Sequence, residues 1–442
     1  MRFKNMIRTS SLFILLWLSI SSLAHAVLTI EITQGSEGAQ PIAIVPFEWV
    51  GKGVPPASLK TIIAADLQRS GQFAPLADKD LISRPHQGSQ VKYKTWRALN
   101  VGYLVVGKIH GLADGSFQVQ FQLLDVYKGR QLAGYSIRSL NSGLRRTAHH
   151  ISDIIYKTIT GEEGAFNTHI SYITVTRDGN NKKKYQLAIA DADGYNEKII
   201  YTSSQPLMSP SWSPDGTRLA YVSFLNGRPE IFVQNIFSSK KEKLASFKGL
   251  NNAPRWSPDG KYLALTLSKD GNPEIYIMNI NSRKLTRITR SYAIDTEPEW
   301  LPNSKGLIFT SDRGGSPQLY EIKLNQYRPA SRAQRLTFEG NYNARPAVSA
   351  DGRYIAMVHR SQGKFRIAVL EKDSRHFSIL TKGNLDESPS FAPNGRMIIY
   401  ATEEKFRGVL SAVSVDGRAR QRLSLKKGDV REPVWSPYQV NK

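Results

Sequence analysis

Five carboxylates and two arginines gather at one recurring place in this sequence. Six prolines, Pro210, Pro254, Pro298, Pro346, Pro389 and Pro433, each stand two residues before a Trp, Val or Phe. The dipeptides ahead of them differ: Met208-Ser209, Asn252-Ala253, Thr296-Glu297, Ala344-Arg345, Glu387-Ser388 and Arg431-Glu432. A constant frame with varied tips is how a repeated scaffold makes a recognition surface. Asp295, Glu297, Asp386, Glu387 and Glu432 fall there with Arg345 and Arg431. That set suits a protein epitope. Its hard oxygen donors also suit Ca2+, the one cofactor the residues suggest. Solvated loop tips are the plainer alternative.

Catalytic patterns find little support. The chain holds no G-x-S-x-G, no H-E-x-x-H and no P-loop. Its eight histidines share no common register, and His149-His150 read as packing or surface residues on a helix. There is no cysteine, which removes thiolate nucleophiles, disulfides and Cys-type zinc sites together.

The elements that carry the tips follow from the repeat. Trp212, Trp256, Trp300, Val348, Phe391 and Trp435 lie 43 to 48 residues apart. A turn such as Ser-Pro-Asp-Gly (213–216, 257–260) follows, then apolar runs like Leu219–Val222 and Glu230–Asn235, then a short strand around Leu244, Leu285, Leu336, Leu380 or Leu423. Four strands of about five residues and four turns of about five fill such a period. This is the arithmetic of a propeller blade. Tyr172–Thr176, Tyr185–Ala190 and Ile199–Thr202 form a blade without an anchor strand, and the chain ends on an anchor, Trp435, without a blade. The two fragments complete one another. The expected fold is two-domain: a small N-terminal α/β domain, 27–165, then an all-β six-bladed propeller, 166–442, closed by its C-terminal strand.

In the first domain, Ile42–Trp49 reads as one buried strand and Pro56–Ser70 as a helix. Tyr93–Ala98 reads as a short helix, Tyr103–Ile109 and Phe117–Asp125 as a hairpin, and Leu144–Ile159 as a longer helix. Residues 1–26 have the grammar of a secretory signal: Arg2, Lys4 and Arg8, an apolar run at 12–18, and Ala24-His25-Ala26, with cleavage expected after Ala26. The predicted compartment is the periplasm. The formal charge is +23, of which the leader carries three. Such an excess favours anionic partners. Export argues against nucleic acid, and Lys182-Lys183-Lys184 reads as a solvated turn. Residues 27–35 hold a short alternating segment, LTIEIT, either a plain first strand or a detachable one that pairs with a partner.

Taken together, PIAIVPF (41–47), Ala64-Ala65-Asp66-Leu67, the 161–166 junction, PLMSPSWSPDG (206–216), Asp295–Trp300 and the terminal WSPY resemble the TolB proteins of the Tol–Pal envelope system. The resemblance spans nearly the whole chain. It implies a non-enzymatic periplasmic adaptor, monomeric and peripheral to the envelope membranes, whose propeller binds the lipoprotein Pal and is exploited by colicins. Its mature N-terminus would contact TolA. The family's Pal-facing positions fall at Met208, Leu250, Ala253 and Thr296, with Leu250 where a histidine is expected. Joined to the neighbouring tips, the Pal-facing set is Met208, Ser209, Leu250, Asn251, Ala253, Thr296, Glu297, Arg345, Glu387 and Glu432. The TolA-facing set is Val27, Leu28, Thr29, Ile30, Glu31 and Ile32. The competing reading is a propeller-associated hydrolase or lyase working in the central channel.

Overall fold

The stripe Leu59, Ile62, Ile63 and Leu67 has the spacing of one helix face, and in the computed structural model all four are buried in a single helix, α1 (Leu59–Arg69). The structure describes residues 29–34, 38–53, 58–177, 179–424 and 428–438. The signal segment with its cleavage site, Val27, Leu28 and Gly35 lie outside the described residues. Ser58 caps α1 by accepting the Thr61 N–H at 3.4 Å. A short helix, α2 (Tyr93–Arg97), and a long one, α3 (Leu144–Thr160), complete the helical set of this domain. Gly161, at φ 79°, ends α3 in the left-handed conformation that only glycine takes without strain.

The helices cover a mixed sheet ordered Phe73–Pro75, Gln40–Ile44, Tyr103–Gly111, Phe117–Asp125, Arg130–Ser139. Its first three strands run parallel and the last three form an antiparallel meander. One face packs on α1 and α3, the other on Val91, Trp96 and Val101. The expected single strand Ile42–Trp49 is two: Gln40–Ile44 and Glu48–Val50. The break falls at Val45-Pro46-Phe47, because proline lacks the N–H a central strand must donate.

Six antiparallel blades follow, and all but the first start with their innermost strand. Blades two to six begin at Leu207–Trp212, Asn251–Trp256, Asp295–Trp300, Asn343–Val348 and Asp386–Phe391. Blade one is made of His169–Arg177, Lys183–Asp191 and Lys198–Ser203. Its innermost strand comes from the other end of the chain, Asp429–Trp435, which pairs antiparallel with His169–Arg177 so that Trp435 faces Ile170. The ring therefore closes as the repeat count requires. Two details differ from the sequence reading. Lys183 and Lys184 open a strand rather than sit in a turn, though both stay exposed. In blades four and five the outer strand stops at Arg335 and Ile379, just short of the Leu-Thr pairs. There the threonine hydroxyl replaces the strand, as Thr337 and Thr381 accept the Leu319 and Ile367 N–H groups at 2.9 Å.

The anchors explain why one blade is not a stable unit. Each apolar cluster of the propeller lies between two blades: Trp212 packs with blade one residues Ile173 and Leu187, and Trp300 with blade three residues Ala264 and Ile277. Their indoles also reach across, Trp212 to the Val434 carbonyl at 3.2 Å and Trp300 to the Arg255 carbonyl at 3.0 Å. The Ser-Pro-Asp-Gly turn is self-contained. Ser213 Oγ donates to Asp215 and accepts the Arg218 N–H, Asp215 accepts the Thr217 N–H, and Gly216 takes φ 66°. Its repetition is structural.

The N-terminal segment Thr29–Gln34 docks as a fifth strand on the outer edge of blade six, antiparallel to Arg420–Ser424, with Ile30 opposite Leu423. Backbone pairing holds it on an edge that is otherwise open.

The two domains meet through buried ions. Asp66 on α1 accepts from His149 Nδ1 at 2.7 Å and pairs with Arg69 at 3.1 Å. His149 Nε2 stands 3.6 Å from Asp193, in the turn of blade one that follows Lys183–Asp191, where Arg145 also binds. His149 is thus the buried packing residue of its pair, and His150 is exposed. Nearby, burial pushes the Asp153 carboxyl up to about 6, although it accepts the Phe166 and Asn167 N–H groups.

Candidate site at the channel mouth

Each inner strand carries a β-bulge at its proline: the register slips between Met208 and Ser211, Asn252 and Arg255, Thr296 and Glu299, Ala344 and Ala347, Glu387 and Ser390, and Arg431 and Val434. At all six, the residue just before proline is left-handed. Ser209, Ala253, Glu297, Arg345, Ser388 and Glu432 take φ values between 47° and 55°. No glycine fills these positions. Such backbone is strained for any residue with a Cβ, by about 1–3 kcal/mol each, and persists only where its surroundings hold it. The surroundings here are hydrogen bonds to the preceding blade. Glu297 N–H donates to Thr266 Oγ1 at 3.1 Å, Arg345 N–H to Glu297 Oε2 at 2.9 Å, and Ser209 N–H to the Glu432 carboxylate. The bulge turns these side chains inward, around one narrow funnel of about 50 Å3 at the axis.

The funnel joins Ser209, Ala253, Glu297, Arg345 and Glu432 of the predicted set. Met208 is half-buried against the core between blades two and three, and Leu250 is half-buried with its N–H on Ser268 Oγ at 2.8 Å. Thr296, also half-buried, places its hydroxyl 3.5 Å from that of Thr266, and Glu387 is half-buried beside Arg345. Asn251 is a correction. It is fully buried, and its amide binds the Phe247 and Gly249 carbonyls, so it shapes the loop instead of presenting a surface. Asp295 and Asp386 are also not mouth acids. Asp295 is buried on Arg313 at 2.6 Å, and Asp386 is buried on Thr381 and Thr402, where desolvation raises its pKa. All three fall at the first position of an inner strand, where the side chain turns into the blade.

What remains is a small electrostatic system. Arg345 Nε lies 3.1 Å from Glu297 Oε1, and its guanidinium donates to Ser388 Oγ. Burial alone would lower the Arg345 pKa, but Glu432, Glu297 and Glu387 outweigh it and hold the charge more firmly than usual. Deeper in the funnel, Arg255 pairs with Glu299 at 2.9 Å and reaches the Pro210 carbonyl at 3.2 Å. Burial raises the Glu299 carboxyl, and Arg255 opposes that rise. Sequence reading did not select Arg255 for this site, whereas Asn252 and Ser388 come from the varied tips it singled out. Arg255 carries a signal in hindsight, as a charge just after a repeat proline, but only the bulge shows that its side chain faces the axis. A Ca2+ here would meet Arg345 where the carboxylates converge, so the guanidinium already fills the cation's role.

Among the described residues one cluster, Asp66, His149 and Asp193, has carboxylate and imidazole atoms close enough for a metal. Arg69 and Arg145 already bind its carboxylates. Their charges make it an ion-pair network rather than a cation site.

Family models place the chain. Residues 28–132 match the TolB amino-terminal domain, and residues 156–439 the TolB beta propeller domain. The Tol-Pal system protein TolB of Nitrosococcus oceani is 56% identical over 96% of this chain and 97% of that protein. That of Thioalkalivibrio sulfidiphilus is 58% identical over 94% and 95%. The crystal structure of TolB from Acinetobacter baumannii superposes with a TM-score of 0.86 at 42% identity, covering 93% of this chain and all of that one. With both of its domains matched and its repeat, ring closure and N-terminal sheet accounted for, this chain belongs to the TolB family of Tol–Pal system proteins.

Proposed function

We propose that this chain is a non-catalytic adaptor of the Tol–Pal system, exported to the periplasm, that supports outer-membrane integrity and cell division. Its funnel mouth takes an epitope of Pal, and its N-terminal segment from Val27 to Ile32 engages TolA. Colicins would compete for the same mouth. The observation that carries the reading is the ring of six left-handed pre-proline residues. A fold that keeps six strained bulges on one rim, with four kinds of side chain among them (Ser, Ala, Glu and Arg), favours recognition over packing. The funnel carboxylates favour it too. Glu297 is tied to Arg345 and Thr310, and Glu432 to a backbone N–H, so both act as fixed acceptors rather than proton donors. The docking of Thr29–Gln34 supports the second contact: a strand held at a sheet edge by backbone pairing can be exchanged for pairing with another chain.

Calorimetry with purified Pal and TolA domains tests both contacts. Thr296→Arg sets a bulky charge at the rim and lowers Pal affinity by about 100-fold, the scale of a central interface residue. Its melting temperature stays with the wild type. Pal affinity within about threefold of wild type would remove the mouth as the site. Deleting residues 27–35 spares Pal binding and abolishes TolA binding; retained TolA binding would remove that role from the segment.

A further inference from the structure

The funnel occupies only the centre of its face. The connections that lead into the inner strands, and the turns between second and third strands, lie at the same end of every blade, as the pairing of Asp386 with Thr402 sets for blade six. On blades five and six these loops carry a dense group of exposed cations: Arg360, Lys364, Lys382, Lys405 and Arg407. The two blade-five sites are joined, since Phe365 N–H bonds the Asn384 carbonyl at 3.0 Å, which sets Lys364 beside the Lys382 loop. On blade six, Arg407 donates to the Gly428 carbonyl at 3.0 Å. Glu403 and, near His359, Glu339 are exposed acids beside them, while Glu404 is tied to Arg422 at 2.7 Å.

Phe406 is the unusual member. It stands 94% exposed at the tip of the hairpin between Lys405 and Arg407. Lys405 and Phe406 both take positive φ, 48° and 62°. A two-residue turn of this kind normally uses Asn-Gly, and the equivalent blade-five turn has Gln362-Gly363. An aromatic side chain held in left-handed backbone and pointed into water gains nothing within the fold. Tyr292 and Phe338, on the connections into blades four and five, extend the same pattern with exposures of 106% and 66%.

We infer that the loop tips of blades five and six form a docking surface for an anionic lipid bilayer, with Phe406 entering the headgroup boundary and the surrounding lysines and arginines facing lipid phosphates. Aromatic tips flanked by Lys and Arg are what that boundary selects. The manner of holding favours lipid over a folded acidic protein. Among the described residues, Arg360, Lys364, Lys382 and Lys405 enter no ion pair, unlike Arg345 in the funnel. Solvated, rotationally free cations suit a fluid plane of phosphates, whereas a protein epitope is met by fixed partners. This surface gives the +23 charge of the chain one specific use.

Co-sedimentation of the full mature chain with phosphatidylglycerol-rich vesicles and with phosphatidylcholine vesicles tests the inference. The chain partitions onto the anionic vesicles, weakens with added salt, and stays off the zwitterionic ones. Removing one surface cation lowers such partitioning about fivefold, so Lys364→Gln, Lys382→Gln and Lys405→Gln together lower it about 100-fold. Phe406→Ser lowers partitioning at low and at high salt alike, whereas the lysine variants lose their effect in high salt. Both variants keep wild-type melting and wild-type affinity for the Pal domain, which separates this surface from the funnel. Wild-type chain left in the supernatant of anionic vesicles, or a triple variant that partitions like wild type, would overturn the inference. So would a triple variant that loses Pal affinity with no vesicle binding by the wild type, since the patch would then be a protein interface.

Discussion

Trp300→Ala lowers the unfolding free energy by about 3–5 kcal/mol, the range for truncating a fully packed large aromatic. Trp300 is 3% exposed and stands between blades three and four, against Ala264, Ile275, Ile277, Leu307 and Phe309. Tyr327 packs its edge at 6.2 Å, and the indole N–H holds the Arg255 carbonyl. Alanine leaves a cavity that straddles two sheets. Neither sheet can collapse into it alone, because each is fixed by its other neighbour in a closed ring. In a thermal scan the propeller transition drops by about 10 °C. Trp300→Phe keeps most of the packing and loses the hydrogen bond, at about 1 kcal/mol. A shift below about 1 kcal/mol for the alanine variant would mean that the anchors do not hold blade to blade.

The second large effect lies at the domain junction. Asp66→Ala destabilises by about 3–5 kcal/mol, because it strands the buried Arg69 charge rather than merely removing a contact. Asp66 is fully buried, with Arg69 at 3.1 Å on one oxygen and His149 at 2.7 Å on the other. Arg69 is itself buried and lies 5.3 Å over the Phe166 ring, so it has no route to water. Asp193→Ala differs in kind. It removes one junction contact each from Arg145 and His149 while leaving the Asp66 pair intact, and Arg145 keeps Asp191 at 3.7 Å and the Tyr195 ring, so the loss is smaller, about 1–3 kcal/mol. Unaltered unfolding of Asp66→Ala in denaturant would show that the network is neutral to folding.

The lysine and phenylalanine variants of the outer rim and the threonine variant of the funnel act on different observables, so each surface is tested without the other. If both behave as expected, the mouth face meets a protein at its axis and a bilayer at its edge. Arg345 would belong to the first contact and Phe406 to the second.

Much of the architecture is legible in the sequence because its causes are local and repeated. An aromatic anchor, a Pro-Asp-Gly turn and two apolar runs recur at a blade-length period. The count of anchors, with one partial blade at each end of the propeller segment, specifies six blades and closure by Trp435. The helix of Leu59, Ile62, Ile63 and Leu67 is likewise written in its spacing. The placing of varied residues beside constant prolines also directs attention to one rim before any coordinates are known.

What only the tertiary structure decides is which of those residues face the axis. A bulge shifts side-chain direction by one position, and no propensity marks a left-handed Ala253 or Arg345 before proline. The bulge depends on hydrogen bonds to another blade some 30 to 50 residues away, such as Glu297 N–H to Thr266 or Arg345 N–H to Glu297. Hence Asp295 and Asp386 look like mouth acids in sequence and are buried braces in the fold, while Arg255 looks ordinary and lies on the funnel. The same holds for His149, whose partners come from α1 and from a turn of blade one. The sequence by itself determined the repeat, and with it the ring, because each blade is specified by nearest neighbours along the chain. The site was decided by contacts between blades, where side-chain direction depends on partners that lie far away in sequence.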